Sequence, residues 1–168
     1  MGTGESGAYY TSGGSSLIHH EAIIHAVEGI FTHNPRTGAI QNMSGGGHAQ
    51  QNIDLLTKLG LEFHIVKTYP NGVRLGNVAR HTTKLKRTGD NQAWFPPSWN
   101  EKTIINAGEY VAKLKRNRDQ PPGKNLWGTY QGVRVGIKKR DGLIVTVFPA
   151  HEQPTHLRKK RRRKAKTR

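Results

Sequence analysis

Nine histidines in 168 residues put imidazole chemistry first among the reactions this chain could perform. Metal binding is the first candidate. The run His20-Glu21-Ala22-Ile23-Ile24-His25 superficially resembles a zinc-protease helix, which needs its two histidines at i and i+4. Here the second is at i+5, about 140° around a regular helix, so the pair cannot share an ion. No cysteine is present and no tight His/Asp cluster follows, so no metal site is expected. Acid–base chemistry is the second candidate. Cleavage of a phosphodiester by a neighbouring 2′-hydroxyl needs one group to take a proton and another to protonate the leaving 5′-oxygen. Two imidazoles flanking one phosphate can do both near neutral pH.

His25 and His48 are the pair whose surroundings differ in the useful sense. His25 falls near the C-terminal end of an expected helix, with Glu21 a turn before it and Glu28 just after. Both features favour a charged ring. His48 follows Gly45-Gly46-Gly47 and opens the next expected helix, where the dipole disfavours charge. Opposed shifts suit His48 as base and His25 as acid. Taken singly, each ring reads more readily as a helix-end cap or packing group. The chemistry requires that rings 23 residues apart converge on one phosphate-sized gap.

Regular secondary structure is expected to hold these rings in place. Residues 1–15, rich in Gly, Ser and Thr, form a flexible lead-in. Ser15 or Ser16 caps a helix reaching Val27, which Gly29 ends. Ile30 to Asn42 is a hairpin turning at Asn34-Pro35-Arg36-Thr37-Gly38. A helix runs from His48 to Leu59, with Ile53, Leu56 and Leu59 inward and Gly60 as its stop. Glu62–Thr68 and Val73–Arg80 are strands around Pro70-Asn71-Gly72, and His81 to Trp94 is mostly loop. Ser98 and Glu101 form a capping box before a helix bearing Ile104, Ala107, Val111 and Leu114 on one face. Arg116 to Lys124 is a polar loop. Val133, Val135 and Ile137 alternate as a strand, Asp141-Gly142 turns, and Val145, Val147 and Phe148 return. Nothing after Pro149 is expected to fold. Helices first, then antiparallel strands with one inserted helix, make an α+β plan. It gives one domain over residues 16–150 and a disordered basic tail over 151–168.

The net charge is +16. Nine of the 27 Lys and Arg lie in Arg158–Arg168; without them 18 remain against 11 acids, still +7. Such a field attracts polyanions. The tail is either a solvated appendage or a nucleic-acid arm. Three Trp, five Tyr and four Phe argue for a packed centre despite 33% apolar content. No apolar run approaches the roughly 20 residues of a membrane span. Residues 1–7 have neither the basic nor the apolar stretch of a secretory signal.

Four landmarks now fall in order: His25-Ala-Val-Glu28-Gly29, Gly45-Gly46-Gly47-His48, Phe95-Pro96-Pro97-Ser98-Trp99, and Thr146-Val147-Phe148-Pro149 after a hairpin. Together, over residues 17–149, they resemble the EndoU-type endoribonucleases, especially the bacterial polymorphic and contact-dependent toxin branch. The resemblance implies an EndoU-like nuclease fold with His25 and His48 as catalytic residues. It also implies cleavage of single-stranded RNA or tRNA, often after uridylates, leaving 2′,3′-cyclic phosphate and 5′-hydroxyl ends. It places Thr146 in the catalytic set and Phe148, Gly46 and Gly47 at the substrate. It implies a catalytic lysine too, but Asn91, Gln92 and Ala93 stand where that lysine is usual, so either Lys84 or Lys86 supplies the charge or the site lacks it. Phe148 lacks the tyrosine hydroxyl common in the family, and the Asn34–Gly38 turn lengthens the segment between the histidines. No cofactor is implied as required, with room for stimulation by Mn or Mg. The implied setting is a monomeric domain delivered as part of a larger secreted toxin. It would act in the target-cell cytoplasm and be neutralised by an acidic immunity protein.

The competing reading is a non-enzymatic RNA-binding protein, which shares the charge but does not need His25 or His48. A DNA nuclease would normally need carboxylate-bound metal, and no carboxylate cluster is apparent.

Overall fold

A computed structural model describes residues 18–156. The lead-in, the Ser15–Ser16 cap and the basic run Arg158–Arg168 lie outside them. The first helix, α1 (His20–Glu28), begins later than expected, with His19 as its N-cap. The physical reason is that Ile18 is drawn into a parallel bridge with Ile144, which keeps the backbone extended up to the cap. Gly29, at φ 104°, ends α1 as expected.

Strands β1 (Ile30–His33) and β2 (Ile40–Gly45) pair antiparallel. In their turn Asn34 Oδ1 accepts the N–H groups of Arg36 and Thr37 at 2.7 and 3.1 Å, the local bonding that makes Asn a turn former. Helix α2 spans Gln50–Leu59 with Ala49 as N-cap, so His48 lies before the helix rather than opening it. Ile53 and Leu56 are buried as expected, but Leu59 is exposed. The left-handed Gly60 reverses the chain and brings Leu61 into the core in its place, its N–H donating to the Leu56 carbonyl at 2.9 Å.

A three-stranded antiparallel sheet follows, ordered β3 (Phe63–Thr68), β4 (Arg74–Val78), β5 (Gln92–Trp94). The segment read as loop therefore holds a 3-10 turn at Lys84–Arg87 and a fully buried strand. Three residues are too few to show an alternation. Helix α3 (Glu101–Lys113) is capped by Asn100, whose Oδ1 accepts from Thr103 N–H at 2.9 Å. The Ser98–Glu101 box does not form, because a turn from Pro96 C=O to Trp99 N–H delays the helix. The short α4 (Lys115–Arg118) and β6 (Leu126–Tyr130) were not anticipated; β7 (Val133–Arg140) and β8 (Leu143–Pro149) were. These three strands form the sheet β6-β7-β8. The architecture is α+β.

Two cores result. In the larger, α1 and α3 pack on β6-β7-β8 through Ile23, Val27, Ile104, Val111, Ile137 and Val147. The smaller gathers Met43, Ile53, Leu56, Leu61, Val78 and Trp94. Neighbouring residues of a strand face opposite ways, and β5 uses this to join the two: Ala93 belongs to the first core and Trp94 to the second. Buried Asn52 adds a polar tie, donating to the Glu28 carbonyl at 2.8 Å and accepting from Trp94 Nε1 at 3.0 Å.

The chain also stays attached past Pro149. Gln153 is buried, its Oε1 accepting from Arg134 N–H and Asn71 Nδ2, both at 2.9 Å. Its Nε2 donates to the carbonyls of Arg134 and Ala150 at 3.0 and 2.9 Å. Truncation would strand backbone groups in a buried place. Gln153→Ala is therefore expected to lose about 2–3 kcal/mol, lowering the calorimetric midpoint by roughly 5–10 °C. An unchanged midpoint would show that water replaces the side chain without cost.

Candidate active site

The last carbonyls of a helix have no partner within it. In α1 two of them find partners in the glycine run. The His25 carbonyl accepts Gly47 N–H at 2.8 Å, besides its bond from Gly29, and the Ala26 carbonyl accepts His48 N–H at 2.6 Å. Only glycine fits this approach. Gly46 and Gly47 hold φ of 62° and 68°. A Cβ on Gly46 would collide with the His25 carbonyl, and one on Gly47 with Asn52 and Met43.

Docking β2's exit onto α1 brings His25 and His48 to one cavity of about 120 Å³, lined also by Ala22, Ala26, Ile30, Gly46, Val145 and Thr146. At roughly 30 Å³ per water, it holds a few waters or one small polyatomic group. His25 is half-buried there.

His48 is more confined, at 8% exposure. Strand β5 and the residue after it clamp it. The His48 carbonyl accepts Phe95 N–H at 2.6 Å, and its Nδ1 lies 2.8 Å from the Ala93 carbonyl. A carbonyl only accepts, so Nδ1 must carry the proton, and in the neutral ring Nε2 is the free acceptor. Burial, followed by the charge of Lys86, pushes the pKa of His48 down to about 3. The ring is neutral for this reason, not through the dipole of a helix it does not belong to.

The two lysines separate clearly. Lys84 is exposed on the 3-10 turn. Lys86 turns inward: its Nζ donates to Gln92 Oε1 at 3.1 Å, and burial lowers its pKa. Gln92 is fully buried and donates to the carbonyls of Gly46 and Gly47 at 3.2 and 2.9 Å. Lys86 is thus braced against the loop that carries His48. Thr146 lines the cavity from β8. Phe148 lies two residues on, 6.2 Å from His48 between ring centroids and edge-on to Trp127 at 5.6 Å.

Of the residues singled out in the sequence, His25, His48, Gly46 and Thr146 share the cavity. Gly47 and Phe148 contact its walls or its histidines, Lys86 reaches it through Gln92 and by its charge on His48, and Lys84 stands apart. Gln92 and Asn52 were missed. Nothing in their local sequence marks them: Gln92 satisfies the Gly46 and Gly47 carbonyls, and Asn52 the Glu28 carbonyl at the end of α1, only in the packed structure.

Two outcomes follow. Gly46→Ala forces a side chain against a backbone carbonyl at left-handed φ, and should cost about 3 kcal/mol and release His48 from α1; denaturant unfolding and the His48 ring resonances would report both. Separately, His48 titrates near 3 when folded against 6.5 ordinarily, and His81 near 4. The unfolded chain therefore binds more protons across that window, and stability must fall as pH drops from about 6.5 towards 3. His48→Asn, which keeps an N–H for the Ala93 carbonyl, should flatten this slope by up to about 1.4 kcal/mol per pH unit. An equal slope in the variant would refute the low pKa.

No helix among the described residues is long and apolar enough to cross a membrane. No curated protein and no solved structure matches the chain. Compared with known families, it matches the one described as bacterial EndoU nuclease over residues 19–151, a stretch that contains both histidines, the glycine run, Lys86, Thr146 and Phe148. That match covers most of the chain, and with it the chain belongs to the bacterial EndoU nucleases.

Proposed function

We propose that this nuclease is an endoribonuclease that cleaves RNA by internal attack of a 2′-hydroxyl, with His48 as general base and His25 as general acid. The observation that carries this reading is the meeting of two imidazoles at one small cavity, with His48 fixed in the tautomer whose Nε2 accepts a proton.

In the proposed step His48 Nε2 takes the proton of the 2′-hydroxyl, and O2′ forms a bond to phosphorus. The P–O5′ bond breaks, and His25 gives its proton to the departing O5′. The products are a 2′,3′-cyclic phosphate and a 5′-hydroxyl, and the two rings end in exchanged protonation states that solvent resets. Lys86 offsets the extra negative charge of the transition state. Thr146 adds a hydroxyl at the cavity wall, and the face of Phe148 offers a base something to stack on. A bound phosphodiester also counters the charge of Lys86 and so moves His48 back towards a more effective base. The rings and Lys86 complete the proton and charge inventory, so no metal is required for turnover in this scheme.

The wider setting follows from family membership and charge. A small basic nuclease of this kind suits the toxic domain of a larger delivered protein, held in check by an acidic immunity partner that covers the cavity. Preference for uridylates or for tRNA belongs to the same proposal.

The test is incubation of the purified chain with RNA in EDTA, beside His25→Ala and His48→Ala. Each substitution is expected to reduce cleavage by at least about 10²-fold, with cyclic-phosphate ends only in the wild type. Since His48 is neutral above about pH 3, the acid limb of kcat/KM should lie well below pH 6.5. Equal RNA binding by all three proteins with no cleavage by any would favour the non-enzymatic RNA binder instead.

A further inference from the structure

A second cavity, of about 340 Å³, is not used by the proposed proton transfers. It is lined by Asn42, Ala79, Arg80, His81, Thr82 and Arg87. None of these is acidic, and among the described residues neither arginine has a carboxylate partner. Both guanidiniums are anchored by their inner nitrogen. Arg80 Nε donates to Asn42 Oδ1 at 3.0 Å, and Arg87 Nε to the His81 carbonyl at 2.8 Å. Among the described residues, the one partner of the outer nitrogens is the Thr82 carbonyl, 3.3 Å from Arg87 Nη2. A guanidinium has five donors, so most remain unspent.

His81 adds an independent observation. It is 3% exposed, and its Nδ1 accepts Thr83 N–H at 2.9 Å. The neutral ring therefore carries its proton on Nε2, which is buried with no hydrogen-bond partner among the described residues. Burial, then Lys86 and Arg87, hold its pKa near 4, so the ring stays neutral. A buried donor with no acceptor among the described residues, beside two arginines with no acid, is an environment suited to an anion.

Its place in the fold links it to the histidine cavity. Met43 N–H donates to the Arg80 carbonyl at 3.0 Å, and Thr82 N–H to the Met43 carbonyl at 2.8 Å. The strand thus gripped, β2, leads directly into Gly46-Gly47-His48. Lys86 acts electrostatically on both His48 and His81.

We propose that Arg80 and Arg87, with His81 behind them, hold a backbone phosphate of the RNA that flanks the phosphate being cleaved. The site fixes the register of the strand and takes no part in the proton transfers. This rests on the RNA-cleaving reading above. Phosphate contacts position a nucleic acid without reading its sequence, so the subsite acts on binding, whatever the base.

The test uses a short DNA oligonucleotide with a single uridine ribonucleotide, which leaves one cleavable linkage, and variants carrying one neutral methylphosphonate at each flanking position in turn. For the wild type, one methylphosphonate is expected to raise KM about tenfold, with kcat within about twofold. Arg80→Gln and Arg87→Gln should raise KM for the all-phosphate substrate similarly, lower the salt slope of binding by about one each, and become indifferent to that methylphosphonate. Variants that lose nothing, or that remain as sensitive to the methylphosphonate as the wild type, would overturn the subsite. If the wild type cleaves no substrate, the nuclease mechanism fails. Fluorescence anisotropy on the all-DNA analogue, with the same variants and methylphosphonates, then still decides whether the anion is held.

Discussion

Two carbonyls at the end of one short helix organise this molecule's chemistry. The helix α1 cannot satisfy its final carbonyls internally, and the glycine run after β2 supplies the N–H groups they need. The same bonds that cap α1 set His48 beside His25, whose own carbonyl is one of the acceptors. Close approach is possible because Gly46 and Gly47 have no Cβ and adopt left-handed backbone. Stability and the meeting of the rings thus share one cause. The rest of the fold acts as support: β5 holds His48 from the other side, Gln92 grips the glycine carbonyls, and Asn52 ties α2 to the end of α1.

Electrostatics works with that geometry. The described body has few acids, and one ion pair joins Glu62 to the exposed His64 of β3, away from the histidine cavity. The cations near the histidines are left for an incoming polyanion. Burial and Lys86 hold His48 neutral in the free protein. In the proposed mechanism, a cation that discourages protonation of His48 also attracts the phosphate whose arrival relieves that effect, so substrate binding and readiness of the base would be coupled by one charge.

What the sequence made legible was carried by glycine, proline and alternation. Gly29 and Gly60 marked helix ends, Asn34–Gly38 and Asp141-Gly142 marked turns, and Val133, Val135 and Ile137 marked a strand. Local signals failed where a distant residue overrode them. Ile144 held Ile18 extended and moved the start of α1; the Pro96 turn moved the start of α3. Strand β5 was invisible because three residues are too few to show a period, and its existence depends on β4 beside it. Gln153 was read as tail because its partners, Asn71 and Arg134, are far away in the chain.

The α+β class, the family through its ordered landmarks, the basic field, and the place of His25 and His48 in those landmarks were all legible along the chain. Residue type and short spacing suffice for these. Tertiary structure alone buried Lys86 and not Lys84, set its charge against His48, and made Gln92 brace the loop. It also decided that His48 owes its neutral state to burial, and that His81 keeps a buried donor without an acceptor among the described residues. Each of those depends on which atoms meet across 20 or more residues of chain or on how much water is excluded around a ring, and neither quantity is written in local sequence.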